Sequence, residues 1–264
     1  MNRLLAILLG LLGAAQCFAP VVVNPFISFP AASFNELTPT GGLWVYDASQ
    51  ESYANNDAVT QLTDRYGAGV NVVQATSSKQ PVFKTGIQNS LPAVLFDGVD
   101  DLIATSAAYG NSLSAFTVFI VLQTSDIFAV PIANQIGFVF GRGWGIWIDS
   151  GASYGVVTKD NSGSGFAQTT TQPSNTSWQI LMLTYDGTTI TIKRNKNAAT
   201  RTATLSGSIP ATTSFLTLGS YATGGYYMSG YIGETCGYNW VFDSTTEDNM
   251  WTFLGTKWGI TLTP

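Results

Sequence analysis

The sequence predicts an all-β fold, and three observations support this prediction. Short apolar or alternating runs recur between clusters of turn residues from about Leu43 onward, a spacing that is typical of a sandwich or barrel. Thr, Val and Tyr, which favour strands, are accompanied by 27 Gly and 10 Pro, which favour turns. Only four glutamates occur in 264 residues, and long amphipathic helices usually contain more.

The predicted strands include LWVYD (43–47), PAVLF (92–96), AFTVFIVLQ (115–123), IGFVFG (136–141), WGIWID (144–149), YGVVT (154–158), WQILMLTY (178–185), TTITIKR (188–194), SFLTLG (214–219) and MSGYIGE (228–234). Asp186-Gly187 separates two of these runs and predicts a type I′ hairpin. After that turn, Ile190 and Ile192 are expected on one face of their strand.

Two of the predicted strands are apolar on both faces. In 115–123, Val118 and Phe119 point to opposite sides, and the run 178–185 has the same character. Such strands must be covered on both sides. The sequence leaves three possibilities for what covers the second face: loops over a central strand, the N-terminal segment, or a neighbouring subunit.

One helix is predicted, near the C-terminus. Ser244 and Glu247 fit a capping box, and Met250 begins a set of apolar residues at helical spacing. Gly255 is the expected C-terminal cap.

Residues 1–41 are predicted to form a hydrophobic N-terminal arm and linker, and residues 42–264 the sandwich domain. The run from Leu4 to Ala15 is apolar throughout and is short for a membrane span. One interpretation is a signal peptide over residues 1–15 that is cleaved on secretion. The other is an uncleaved arm that packs against another chain through its large apolar side chains Leu4, Leu5, Ile7, Leu8, Leu9, Leu11 and Leu12.

Composition excludes several classes of function. The chain has no histidine, which excludes histidine triads and histidine-ligated zinc or haem. Its two cysteines cannot form a disulfide framework or a cysteine metal cage. The net charge of −5 argues against a nucleic-acid partner. A surface with few charges, which make up 10% of the residues, suits a neutral partner such as a glycan or another protein.

An acidic cluster offers the one candidate metal site. Asp97, Asp100 and Asp101 lie in the segment FDGVDD, and clustered aspartates can supply oxygen ligands to calcium. The alternative is a tight turn in which the carboxylates accept backbone amides. The turn is the favoured interpretation, and no cofactor is expected unless this cluster binds calcium.

The candidate ligand contacts are aromatic residues in two Gly-rich segments. Sugar rings present apolar faces that stack on Trp and Tyr, and loops at the ends of a sandwich commonly bind ligands. The candidates are Arg142, Trp144, Trp147, Tyr221, Tyr226 and Tyr227. For Trp147 and Tyr226, packing in the core or an interface is favoured over glycan contact. The remaining large aromatics are expected inside, namely Trp44, Trp178, Trp251 and Trp258.

The sequence resembles concanavalin A-like lectin/glucanase domains of the laminin-G-like type over almost all of the predicted sandwich. The segments that carry the resemblance are LWVYDAS (43–49), QPVF (80–83), LPAVLFDGVDDLIAT (91–105), AFTVFIVLQT (115–124), WQILMLTYDGTTITIKRN (178–195), LTLGSYATGGYYMSGYIGETCGYNWVF (216–242) and GTKWGI (255–260). The resemblance implies a jelly-roll sandwich of two antiparallel sheets. It also implies a structural turn at FDGVDD and a structural role for Glu234, which ties the last strand to its neighbours in this family.

The resemblance also bears on catalysis. Hydrolases of this fold carry an E-x-D-x-E or E-x-D-x-x-E strand motif that supplies two carboxylates. None of the four glutamates has an aspartate two residues later, so we expect no enzymatic activity.

Domains of this type are common in bacteriophage structural proteins. We therefore expect a virion component, in the head or tail, that joins other virion proteins or copies of itself through the arm and binds a host surface glycan. A homo-oligomer is expected, and a trimer is one arrangement consistent with it. The alternative is a secreted or cell-surface lectin with a cleaved signal peptide, and a glycoside hydrolase ranks third.

Overall fold

The computed structural model describes residues 41–66, 69–110, 112–124, 126, 128–135, 143–149, 152–160, 163–168, 177–197, 199–204, 209, 213–221 and 224–264. The chain divides into a unit over residues 1–36 and a large unit over residues 37–264, and every described residue belongs to the large unit. The predicted arm over residues 1–41 with its leucines, the predicted strand 136–141 and Arg142 therefore lie outside the described residues, apart from Gly41.

The described strands, in chain order, are β1 (Gly42–Asp47), β2 (Gln61–Leu62), β3 (Val72–Val73), β4 (Val82–Gln88), β5 (Leu91–Asp97), β6 (Ile103–Thr105), β7 (Phe116–Thr124), β8 (Phe128–Gln135), β9 (Gly143–Asp149), β10 (Ala152–Asp160), β11 (Gly163–Gln168), β12 (Gln179–Tyr185), β13 (Thr189–Arg194), β14 (Ala199–Thr204), β15 (Thr217–Leu218) and β16 (Ser229–Tyr238). The helix α1 (Ser244–Trp258) follows them.

These strands form two antiparallel sheets, which confirms the predicted two-sheet sandwich. The first sheet has the order β14-β13-β12-β7-β16-β5-β4, with β1 paired to β16 beside that path. The second sheet has the order β11-β10-β9-β8-β15-β6-β3-β2. Strands distant in sequence are neighbours in both sheets, as expected of a jelly roll.

The main hydrophobic core lies between the two sheets. Trp44 of β1 and Trp144 of β9 come from opposite sheets and stack with ring centroids 5.7 Å apart and planes 7° apart. Phe116 of β7 packs on the same Trp144 ring at 5.2 Å. All three side chains are fully buried, and burying a side chain of this kind stabilises the fold by about 1.5–3 kcal/mol.

A second apolar layer covers the other face of the first sheet. Phe119 of β7 points away from the main core and meets Trp251 of α1 edge to face, at 5.2 Å. Met182, which pairs directly with Phe119 from β12, is also buried. The strands that are apolar on both faces are therefore covered by the C-terminal helix, which was not among the three covers considered from sequence.

The helix is confirmed, but its predicted caps are wrong. Asp243 is the N-cap, and its Oδ1 accepts the amide of Thr246 at 2.8 Å. Ser244 is the first helical residue instead. The C-cap is Gly259 in the left-handed conformation, with φ 62°, whereas Gly255 lies inside the helix. No helix in the described part of the chain is both long and apolar enough to cross a membrane.

The hairpin predicted at Asp186-Gly187 is confirmed, since β12 and β13 pair on either side of it. Its turn is not type I′. Asp186 pairs with Thr189, so Gly187 and Thr188 are the two central residues, and only Gly187 has a positive φ. The Asp186 carboxylate closes the turn by accepting the amides of Thr188 and Thr189 at 2.8 and 2.6 Å. Ile190 and Ile192 both point into the core, as predicted.

Candidate functional site

The candidate site is on the outer face of the second sheet, opposite the main core. Ile146 and Ile148 of β9 belong to the core, so Trp147 between them points outward. There it packs on a small apolar group formed by Val130 and Ala133 of β8 together with Tyr221.

Three aromatic rings meet on this face, and we call Trp147, Tyr221 and Tyr226 the aromatic cluster. The rings of Trp147 and Tyr226 are nearly parallel, with planes 26° apart and centroids at 6.2 Å. Tyr221 contacts the same Tyr226 ring at 6.2 Å. Tyr226 is 38% exposed whereas Tyr221 is 9% exposed, so the cluster presents the Tyr226 ring to solvent and buries most of Tyr221.

Two of these rings come from one segment, which we call the tyrosine loop and define by its described residues 219–221 and 224–228. The loop is closed by a hydrogen bond from the Met228 amide to the Gly219 carbonyl at 2.8 Å. The Val130 amide of β8 donates to the Tyr226 carbonyl at 3.0 Å and ties the loop to the sheet. The adjacent Tyr227 is half-buried and is not among the rings in contact with Trp147.

The structure brings some of the predicted ligand contacts together and places another in the core. It brings Trp147, Tyr221 and Tyr226 together on the outer face. It places Trp144 in the core, where the side chain is fully buried and its Nε1 donates to the Gly110 carbonyl at 3.2 Å. The prediction that Trp144 contacts a glycan is therefore wrong. Arg142 lies outside the described residues.

The aromatics expected inside are there with one exception. Trp44, Trp251 and Trp258 are fully buried. Trp178 is half-buried and stacks on Trp258, with ring centroids 5.7 Å apart.

The acidic cluster forms a tight turn between β5 and β6. Asp97 Oδ1 accepts the amide of Val99 at 2.8 Å, and Asp101 Oδ2 accepts the amide of Asp97 at 2.9 Å. Burial raises the pKa of Asp101 to about 6. One carboxylate oxygen from each of Asp97, Asp100 and Asp101 lies within 4.8 Å of the others, whereas calcium takes about 6–8 oxygen ligands. The geometry accounts for the turn, and calcium binding stays a prediction.

A buried charge cluster joins the helix to the first sheet. Lys257 Nζ of α1 lies 2.6 Å from Asp47 Oδ2 of β1 and 2.7 Å from Glu234 Oε2 of β16. Trp258 Nε1 donates to the same Glu234 oxygen at 2.8 Å. Glu234 therefore ties its strand to a neighbouring strand and to the helix, which confirms the structural role implied by the family resemblance.

This cluster contains the only close pair of carboxylates around a shared cation among the described residues, so it is the natural place to look for catalysis. Burial, and then the charge of Asp47, raises the pKa of Glu234 to about 7, a value typical of general acids. However, Glu234 is 1% exposed and Asp47 is 3% exposed. Because neither carboxylate can touch a substrate, the raised pKa is a consequence of structural burial.

Comparison with known proteins supports the same fold. The chain resembles the binding domain of Paraclostridial Mosquitocidal Protein 1 at 11% identity and a TM-score of 0.60, over 81% of this chain and 52% of that one. It resembles the Botulinum Neurotoxin Type G receptor binding domain at 10% identity and a TM-score of 0.59, again over 81% and 52%. The chain thus spans about half the length of these two structures.

A third similar structure is matched over almost its whole length. It is domain 4 of AbnA, a GH43 extracellular arabinanase from Geobacillus stearothermophilus, in complex with arabinotriose. The identity is 11% and the TM-score 0.52, over 80% of this chain and 98% of that domain. A search of the curated proteins finds no match.

The sequence also matches a family model directly. The model describes the concanavalin A-like lectin/glucanases superfamily and covers residues 97–245, which is more than half of the chain. Together with the two antiparallel sheets, this match shows that the chain belongs to the concanavalin A-like lectin/glucanases superfamily.

Proposed function

We propose that this chain is a non-enzymatic, lectin-like module that binds a glycan through its aromatic cluster. The observation that carries the proposal is the near-parallel pair of Trp147 and Tyr226 rings on the outer face of the second sheet, with Tyr226 38% exposed. Large aromatic side chains are mostly buried, and an exposed ring that is held in place suits stacking on the apolar face of a sugar.

Three observations support a binding role over hydrolysis. The sequence has no histidine and no paired-carboxylate strand motif. The two carboxylates that share a cation, Asp47 and Glu234, are buried beneath α1. Paired acid and base groups must reach the glycosidic bond for hydrolysis, and these cannot.

The binding proposal is tested with arabinotriose as the first probe, followed by an array of neutral and acidic glycans. Trp147→Ala and Tyr226→Ala should each weaken binding by about tenfold or more, a loss of about 1.4 kcal/mol. Tyr231→Ala is the matched control, because it removes a ring from a second Trp–Tyr pair, Trp178–Tyr231, with centroids 6.1 Å apart. Absence of binding to every glycan, or a larger loss in the control, would overturn the proposal.

The absence of catalysis is tested by reducing-sugar release from the polysaccharides that the chain binds. No release is expected. Release that disappears in Glu234→Gln, a variant of the buried carboxylate, would show instead that the chain is a glycanase.

We also propose that the module is a surface component of a virion, joined to other virion proteins or to copies of itself by its arm. The support is sequence alone: residues 4–12 contain six leucines and one isoleucine, which a folded state must hide from water. Intact mass of the native protein separates this from the alternative. Loss of about 15 residues would indicate a cleaved signal peptide and a secreted lectin.

A further inference from the structure

We infer that the tyrosine loop is a preorganised binding element, in which Ser220 and Gly225 are positioning residues that hold the Tyr226 ring ready for a sugar. This inference rests on the proposed glycan-binding function and extends it to residues that do not themselves touch the ligand.

The starting observation is the backbone of Tyr226. Its φ is +52°, in the left-handed region that residues with a side chain rarely adopt. A conformation of this kind persists only where the surroundings fix it, and such residues cluster at ligand sites.

Several neighbouring groups hold the backbone of Tyr226 in this conformation. Ser220 is fully buried, and its Oγ donates to the Gly225 carbonyl at 2.7 Å, directly before Tyr226. The Tyr226 carbonyl accepts the Val130 amide at 3.0 Å. Gly225 has φ +119°, and a Cβ there would lie 2.7 Å from the Tyr221 hydroxyl oxygen. A side chain at position 225 is thus disfavoured by the backbone conformation, and it would also require the Tyr221 hydroxyl to move.

Burial of the side chain does not offset the unfavourable backbone conformation of Tyr226. Tyr226 is one of the most exposed large apolar side chains among the described residues, at 38%. A ring needed only for packing could point inward from a relaxed backbone, as Tyr221 does at 9% exposure. The loop instead holds the Tyr226 ring against Trp147 while leaving part of it open to solvent.

The functional gain from this arrangement is preorganisation. A ring that is already held in its binding pose has less rotational freedom to lose when a sugar stacks on it, and affinity rises accordingly. The Ser220 hydroxyl acts through the Gly225 carbonyl. Its removal should therefore loosen Tyr226 without removing any atom that touches the sugar.

The first experiment needs no ligand. Hydrogen exchange of the Val130 amide, which reports its bond to the Tyr226 carbonyl, is compared in wild type and Ser220→Ala. We expect about tenfold faster exchange in the variant, as loss of one hydrogen bond predicts. Thr252→Ala is the matched control, since it removes another hydroxyl-to-carbonyl bond, to Asp248 at 2.8 Å on α1. Unchanged exchange in Ser220→Ala would overturn the positioning role.

The second experiment titrates the same variants with arabinotriose and with any glycan retained on the array. Ser220→Ala should weaken binding by about fivefold to tenfold while the variant stays folded at the temperature of the titration. Faster exchange with unchanged affinity would overturn the inference while leaving the proposed function intact. If wild type binds no glycan, both the proposed function and the inference fail, and the exchange result then describes a structural loop only.

A third comparison separates strain from ring contact. Tyr226→Gly removes the ring and suits the left-handed backbone, whereas Tyr226→Ala removes the ring and keeps the unfavourable conformation. Both should lose glycan binding, and the glycine variant should melt at the higher temperature. A higher melting temperature for the alanine variant would show that position 226 is not strained.

Discussion

Lys257 is the residue on which the attachment of the helix depends most. Its ammonium forms ion pairs with two buried carboxylates, those of Asp47 and Glu234. Burial lowers the pKa of Lys257, but the two carboxylates outweigh burial and raise it overall. Because one cation faces two anions, the cluster depends on Lys257, and a proton on Glu234 relieves its excess of negative charge.

Replacing Lys257 should therefore be costly. Lys257→Met leaves two buried carboxylates without their cation, and breaking a buried ion pair in this way costs about 3–5 kcal/mol. The measurement is the free energy of unfolding from chemical denaturation. Lys196→Met is the control, because its partner Asp248 is 59% exposed and an exposed ion pair contributes about 0–1 kcal/mol. Equal losses in the two variants would contradict this account of the cluster.

The same cluster should make stability depend on pH. The pKa of Glu234 lies at about 7 in the folded chain against an ordinary 4.5, so the folded state binds this proton more tightly than the unfolded state. Its contribution to stability is then fully present below pH 4.5 and is lost as the pH rises through about 7. The other titratable groups that interact with Glu234 are Asp47, Lys257 and the buried Cys236 and Tyr238.

Melting temperature measured from pH 4.5 to 8 tests this dependence. Wild type should melt at a higher temperature at the acidic end, and Glu234→Gln should show a weaker dependence. Some dependence should remain in the variant, because burial also raises the pKa of Asp101, to about 6. An identical profile for wild type and Glu234→Gln would rule out Glu234 as the titrating group.

Some properties of single residues could be predicted from sequence and others could not. Trp144 and Trp147 are three positions apart in a strand, so their side chains must point to opposite faces, and this spacing could have excluded one of them as a ligand contact. The left-handed backbone of Tyr226 leaves no comparable signal, because it is imposed by Ser220, Gly225 and Val130 through tertiary contacts.

At the scale of elements, the helix shows how two adjacent candidates compete for one cap. Asp243 and Ser244 are both good N-cap residues. The Ser244–Glu247 spacing fits a capping box, but Glu247 is engaged by Lys193 at 2.6 Å and by Trp251 at 3.0 Å. Its carboxylate is thus held by tertiary partners, and Asp243 caps the helix instead.

The cap assignment is testable by a pair of neighbouring substitutions. Asp243→Ala removes the acceptor for the Thr246 amide and should lower the melting temperature, whereas Asp243→Asn keeps an acceptor and should lower it less. Ser244→Ala should have little effect, because alanine is a good helix former at a first helical position. A larger loss in Ser244→Ala than in Asp243→Ala would restore the capping box.

Strand positions follow from the sequence where apolar residues alternate or form a continuous run, and they do not where polar or turn residues interrupt the pattern. β7, β12 and β13 were located to within one residue at each end. β8 was missed because Pro131 lies within it, at an irregularity where the register shifts between Ala129 and Ile132. Proline in a strand is confined to edges and bulges, so sequence pattern alone argues against a strand there.

At the scale of the whole molecule, the sandwich and the helix together bury both faces of the central strands of the first sheet. Sequence alone showed that β7 and β12 needed a second cover but could not show that residues 244–258 provide it. The contact joins residues more than 120 positions apart, such as Phe119 and Trp251. Local pattern carries no information on such a pairing.

Because the large unit has its own two-sided core, it should fold without the N-terminal arm. Deletion of residues 2–30 is expected to leave a soluble sandwich with the circular dichroism of a β protein and an unchanged glycan affinity. The truncated chain should no longer join its assembly, which size-exclusion chromatography and incorporation into particles would measure. Normal incorporation of the truncated chain would remove the support for the virion proposal.

The position of the last residues determines how the protein can be attached to a surface. The Thr263 amide donates to the Asn195 carbonyl at 3.0 Å, so the final residues lie beside the end of β13 in the first sheet, whereas Tyr226 belongs to the outer face of the second. A biotin tag added after Pro264 would therefore anchor the molecule to a sensor chip by the sheet that carries the helix. Soluble oligosaccharides could then approach the opposite side without obstruction, which makes C-terminal capture the preferred geometry for measuring their binding.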